Sequence, residues 1–250
     1  VNPCPGAYGA LFRWLVFVGL VLLGVVVAAD NGLITQLLAS DESRLSAVIL
    51  AVLLVASLDA GRRAWRLGRE LCAAQRLNLA AMARRPILRI DDADGVALVG
   101  DEATSIAHRH LLLLAGKVRQ HGSLCDQTLL LEHLENSLGR GHETGWFIAD
   151  LMVRLGLLGT VIGFIFMLGS VAQVSSVDLP ALQQLLTSMS AGMRVALYTT
   201  LTGLGAGILL GFQYRLLDSA VDRLMAEIIE LSEVHITPQL RELVVANGHV

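Results

Sequence analysis

The sequence predicts an all-α membrane protein: four transmembrane helices, with a helical cytoplasmic region between the second and the third. Three observations carry that reading. Hydrophobic residues make up 54% of the 250 and charged residues only 16%, with a mean hydropathy of +0.61; an average soluble domain carries roughly 25% charged residues. Four stretches approach the about 20 apolar residues needed to cross hydrocarbon. Arginine is gathered on one side of those stretches, as membrane topology requires. The same composition excludes other classes. A net charge of −3 offers no basic field for nucleic acid. Cys4, Cys72 and Cys125, far apart and odd in number, make neither a disulfide framework nor a metal-ligand spacing.

The first stretch runs from Leu11 to Ala29, interrupted only by Arg13, which can snorkel to the interface. It is read as a span covering residues 1–29 with the N-terminus, rather than as a leader cleaved at Ala28-Ala29-Asp30. The second, Leu45 to Leu58, has 14 charge-free residues between Arg44 and Asp59, short for a crossing, and is extended to 45–61. The third is charge-free from Leu155 to Val177 within 147–177, and the fourth from Val195 to Tyr214 within 186–214. Eight arginines lie between Arg62 and Arg89 with Glu70 the only acid among them, whereas the loop before the second span holds Asp30, Asp41 and Glu42 against Arg44. Positive loops stay in the cytoplasm. Residues 62–146 are therefore expected in the cytoplasm, both short loops outside, and both ends inside. The tail 215–250, with Arg215, Arg223 and Arg241, agrees.

Inside the cytoplasmic segment, Gly61 to Arg85 reads as a continuation of the second span, with Trp65, Leu67, Leu71 and Leu79 among the arginines. Pro86 to Gly100, rich in Asp and Gly, reads as a loop or hairpin. Ile106 to Leu138 has helical spacing and is expected to end near Gly139 and Gly141. A final amphipathic helix is expected over Leu216 to Ser232, limited by Pro238.

Apolar helices in lipid associate through close approach and hydrogen bonds, which favours small residues every fourth position. The fourth span carries Thr199, Gly203, Gly207 and Gly211 at that spacing, extended by Gly192 and Ala196. The third carries Gly156, Thr160 and Gly163 on one face with Gly159 alongside. Two such faces should press together. Thr160, with Thr199, Thr200 and Thr202 opposite, either bonds back to its own helix carbonyls or forms a narrow polar seam for water or a hydrated cation. No Asp or Glu lies inside either charge-free run. A proton relay ordinarily needs an ionisable group, so an acid is expected from another polypeptide.

Leu155-Gly156-Leu157-Leu158-Gly159-Thr160-Val161-Ile162-Gly163 resembles the LGLLGTVxG signature of the MotA/TolQ/ExbB proton-channel family. Ala196-Leu197-Tyr198-Thr199-Thr200-Leu201-Thr202-Gly203-Leu204 resembles its second signature, a small-residue and threonine-rich helix ending in Gly-Leu. The resemblance covers roughly a quarter of the chain, and four spans are closer to the flagellar stator MotA than to TolQ or ExbB. It implies a homo-oligomer, a pentamer of helices around two copies of a single-span partner (of MotB, TolR or ExbD type) whose membrane Asp binds the ion. Ion passage, of protons or sodium, would drive mechanical work. By position Thr160 and Thr200 match the family's ion-path threonines, and Thr199 and Thr202 join them by helical proximity.

The chain departs from the pattern where TolQ- and ExbB-like proteins carry a glutamate; here stand Arg194 and Val195. Arg194, about 9 Å above Thr200 along the helix, would deter cations, pair with an outer acid such as Asp178, or snorkel to the outer interface. A proline before the first signature is replaced by Met152-Val153-Arg154. A geometric tension remains. Thr160 lies six residues from Arg154, but Thr200 lies fifteen from Arg215, so one helix carries charge where the other is apolar.

An enzyme is not expected, nor any metal or cofactor. His108, His110, His121, Glu132, His133 and His142 lack metal-site spacing and read as solvated cytoplasmic side chains. Asp91, Asp92 and Asp94 beside Gly95 read as turn residues rather than a calcium loop. The rival to a conducting subunit is a membrane scaffold that binds a partner helix and conducts nothing.

Overall fold

The computed structural model describes residues 6–32, 44–82, 88–91, 95–98, 105–121, 128–172 and 178–238. Helix α1 (Gly9–Asp30) and helix α2 (Leu45–Met82) are followed by strands β1 (Leu88–Asp91) and β2 (Gly95–Leu98), then helices α3 (Ile106–His121), α4 (Thr128–Ala172) and α5 (Leu179–Glu230). A π-helical stretch, Leu231–Ile236, continues α5. The strands pair antiparallel, Leu88 opposite Leu98 and Asp91 opposite Gly95. Among the described residues, four helices are long and apolar enough to cross a membrane: α1, α2, α4 and α5.

Three of these exceed a bilayer. At about 1.5 Å per residue, the 38, 45 and 52 residues of α2, α4 and α5 reach roughly 57, 68 and 78 Å, against about 30 Å of hydrocarbon. Their interiors contain no proline except Pro180, the second residue of α5, where a missing N–H costs no helical bond. Gly139 and Gly141 do not end a helix, as expected from sequence, but lie within α4. A helical glycine costs only about 1 kcal/mol, less than packing on either side returns. Likewise Leu216 to Ser232 is not a separate helix; α5 runs through from Leu179. Helix α1 closes differently. Asn31 donates its side-chain amide to the Val27 carbonyl at 2.8 Å, and Gly32, at φ +70°, donates its N–H to the Ala29 carbonyl at 2.9 Å.

The chain forms two compact units, each drawn from separated segments. Residues 1–13, 62–142 and 216–250 make the first. Its core takes Leu71, Ala74 and Leu77 from α2, Ala107, Leu111 and Leu114 from α3, Leu134 from α4, and Leu224, Ile228 and Leu231 from the C-terminal helix. The i, i+3, i+4 spacing puts each set on one helix face. Glu70 fixes α3 by accepting the Ile106 N–H at 2.8 Å, while the Ser105 hydroxyl accepts the His108 N–H at 3.2 Å. Glu227 accepts bonds from Gln75 and Asn78 at 3.4 and 3.3 Å.

Two sequence expectations fail in this unit. His108, His110 and His142 are buried, not solvated. The first two follow the apolar face of α3, and His142 meets Asp218 at 2.6 Å. Burial holds the His110 imidazole below its ordinary pKa. Cys72 lies in the core and is disulfide-bonded, its partner cysteine falling outside the described residues. Separation in sequence does not measure separation in the fold.

The second unit, residues 14–61 and 143–215, holds the apolar segments of all four long helices. Gln213 joins three of them. It accepts the Trp14 indole N–H at 3.1 Å and donates to the Ser57 hydroxyl at 2.9 Å, and it is buried. Phe17 stacks on Phe212 with ring centroids 4.4 Å apart. The Trp14 indole lies on Gly61, where a Cβ would come within 2.5 Å of the ring.

Candidate functional site

Helices α4 and α5 run antiparallel and touch at backbone level. A Cβ on Gly203 would stand 2.6 Å from the Gly156 Cα and 2.7 Å from the Met152 carbonyl. One on Gly163 would stand 2.7 Å from both the Ala196 nitrogen and the Gly192 carbonyl. One on Gly207 would meet the Val153 side chain at 2.6 Å and the Ala149 carbonyl at 3.1 Å. The Thr199 side chain fills the space over Gly159. Gly211 is the loosest of the series, with Trp146 at an ordinary 3.5 Å. The seam continues to Gly145, which lies under the Tyr214 ring.

This contact brings Thr160 and Thr200 level. Thr160 is half-buried, donates its hydroxyl to the Leu157 carbonyl, and lines an open groove of about 400 Å³ with Val161, Gly163, Phe164, Met167, Met193 and Ala196. Thr200, also half-buried, donates within its helix to the Ala196 carbonyl at 3.0 Å and lies 3.2 Å from the Gly156 carbonyl across the seam. Thr199 and Thr202 differ. Both are buried, bonded to the Val195 and Tyr198 carbonyls at 2.9 and 2.8 Å. All four hydroxyls donate to backbone carbonyls, which leaves the lone pairs of each oxygen uncommitted. Thr160 and Thr200 are the two of the four that are not fully buried.

Arg194 is exposed and lies two residues from both Gly192 and Ala196, which face α4, hence about 200° around the helix and away from it. Pairing with Asp178 of the same chain is excluded: sixteen residues of helix separate them, about 24 Å. Sequence reasoning missed a second charged feature. Arg154 is ion-paired with Asp150 one turn earlier, Nη2 to Oδ2 at 2.5 Å, and both side chains are exposed. Arg154 stands between Met152 and Gly156, both against Gly203, and reaches back along α4 toward Asp150. Among the described residues, no group of three or more His, Cys, Asp or Glu side chains is arranged to hold a metal ion.

Residues 127–230, which contain all of α4 and α5, match the family model of the MotA/TolQ/ExbB proton channel family. No curated protein and no solved structure matches the chain.

Proposed function

We propose, from the premise that residues 127–230 are a segment of the MotA/TolQ/ExbB proton channel family, that this chain is a stator-type ion-channel subunit. In this reading it couples proton or sodium flow across the bacterial inner membrane to mechanical work. Copies of the chain surround a single-span partner whose carboxylate carries the ion, and the chain supplies the hydroxyl-lined wall. The observation that supports the reading is the pairing of Thr160 and Thr200 at one level of a glycine-packed helix pair, both half-buried, with Thr160 lining an open groove. Such oxygens suit a hydrated cation and repel an anion. Thr199 and Thr202 serve the helix contact that holds the other two in place. Arg194, on the far face of α5, reaches outward to the membrane surface, because helical side chains lean toward the helix N-terminus. The arginine-rich stretch after the second span sets the orientation, with both termini in the cytoplasm.

The test replaces Thr160 and Thr200 separately with Val in the full chain, co-expressed with its partner and reconstituted in vesicles. Each variant is expected to assemble as the parent does and to lose ion flux. Parental flux in both variants would remove the two hydroxyls from the ion path, whereas absence of flux from the unaltered complex would favour the non-conducting scaffold, which uses the same glycine seam.

A further inference from the structure

The apolar stretches of the second unit do not share one depth. Three of them do. Gln213 bonds to Trp14 and Ser57, and Phe17 meets Phe212, so Val195 to Tyr214 on α5 lies beside Leu11 to Ala29 on α1 and Leu45 to Leu58 on α2. Helix α4 is displaced. Tyr214 covers Gly145, ten residues before the charge-free stretch of α4 begins at Leu155, an offset of about 15 Å.

Charge on α4 is thereby carried into the middle of the layer. Leu20 is the midpoint of Leu11 to Ala29 and stands six residues beyond Trp14. Six residues back from Gln213 on α5 is Gly207, which packs on Ala149 and Val153. Asp150 is therefore level with the centre of α1, and Arg154 with the middle of the apolar stretch of α5. Neither side chain is covered within the chain: Arg154 is 69% exposed and Asp150 53%. Their mutual bond uses a fraction of the five N–H donors and four acceptor sites they carry. Charged groups at this depth are costly against lipid and ordinarily face protein or a water-filled cavity.

We propose that Asp150 and Arg154 line a water-filled inlet, placing a carboxylate of this chain in the path between the paired threonines and the arginine-rich side. Thr160 lies ten residues outward of Asp150, about 15 Å, so an ion leaving the threonines toward the arginine-rich end passes this pair next. Asp150 attracts the cation, and Arg154 keeps the carboxylate from holding it tightly. The role as an ion path rests on the function proposed above; the water-filled inlet does not.

The experiment separates the two. Asp150→Cys and Arg154→Cys are made singly in the full chain in native membranes and exposed to a charged, membrane-impermeant methanethiosulfonate reagent, with labelling read at each peptide by mass. Leu23→Cys, on the exposed face of α1, serves as the lipid-facing reference. Thiolate forms only where water solvates it, so both positions are expected to react at least about 100-fold faster than position 23. Reaction as slow as at position 23, whether a lipophilic maleimide reaches them or not, overturns the inlet. In vesicles, Asp150→Asn is expected to lower flux while leaving assembly intact. Absence of flux from the unaltered complex would defeat the proposed function and leave the labelling result standing, whereas parental flux through Asp150→Asn would remove Asp150 from the path.

Discussion

In the unit built from residues 1–13, 62–142 and 216–250, helices meet through leucine and isoleucine side chains; in the unit built from residues 14–61 and 143–215, the pair α4 and α5 meets at the backbone. The first excludes water from Leu111, Leu224, Ile228 and Leu231, each worth about 1.5–3 kcal/mol when fully buried. The second turns its large side chains outward, Leu15, Leu20 and Leu23 on α1 and Leu197, Leu201 and Ile208 on α5. Where the surroundings are themselves apolar, burying leucine returns little, and cohesion comes from contact distance and from satisfied polar groups such as Gln213.

That contrast can be broken from either side. The largest effect is expected in the first unit: Leu111→Ala should cost about 4 kcal/mol, since the residue is fully buried and its loss leaves a cavity, read by denaturant titration. Next is Gly203→Val. Its new side chain meets the Gly156 Cα and the Met152 carbonyl, atoms that cannot rotate aside, and about 3 kcal/mol should be lost from the second unit, seen as reduced thermal stability in detergent. Gln213→Leu strands the Trp14 N–H and the Ser57 hydroxyl, at about 1–2 kcal/mol, measurable by the same melts.

A graded effect follows from pH. Burial lowers the His110 pKa, and its Nε2 has no hydrogen-bond partner among the described residues. The unfolded chain therefore binds the proton more readily than the folded one. Stability should be whole above the ordinary imidazole value of 6.5 and fall as pH drops below it, until the depressed folded value is passed. In His110→Leu that part of the slope should vanish. The smallest expected effect is Gly211→Ala, within about 0.5 kcal/mol, because Trp146 is already at ordinary contact distance; a cost like that of Gly203→Val would mean the seam is uniformly tight.

Much of the second unit was legible because close packing leaves a periodic trace: Gly156, Gly159 and Gly163 opposite Gly203 and Gly207 can be read from spacing alone. Thr160 was legible through its place on the third-span face, and Thr200 only through the resemblance of its segment to the family's second signature. Relative helix level was not. No residue in α4 announces that Leu155 lies ten residues outward of the position facing Tyr214, so Asp150 and Arg154 looked like a boundary rather than a centre. The first unit was illegible for another reason. Its core joins three stretches distant in sequence, and Cys72 on α2 reveals its burial only once Leu224 and Ile228 join the same cluster.

Gly156 and Gly203 leave nothing between the two main chains, and the side chains of Thr199 and Val153 are seated over Gly159 and Gly207, so α4 and α5 are held in one register. Sliding by a single residue would drive Thr199 or Val153 into the opposite backbone. The pair consequently behaves as a welded double beam, able to tilt or turn as one piece but not to shear.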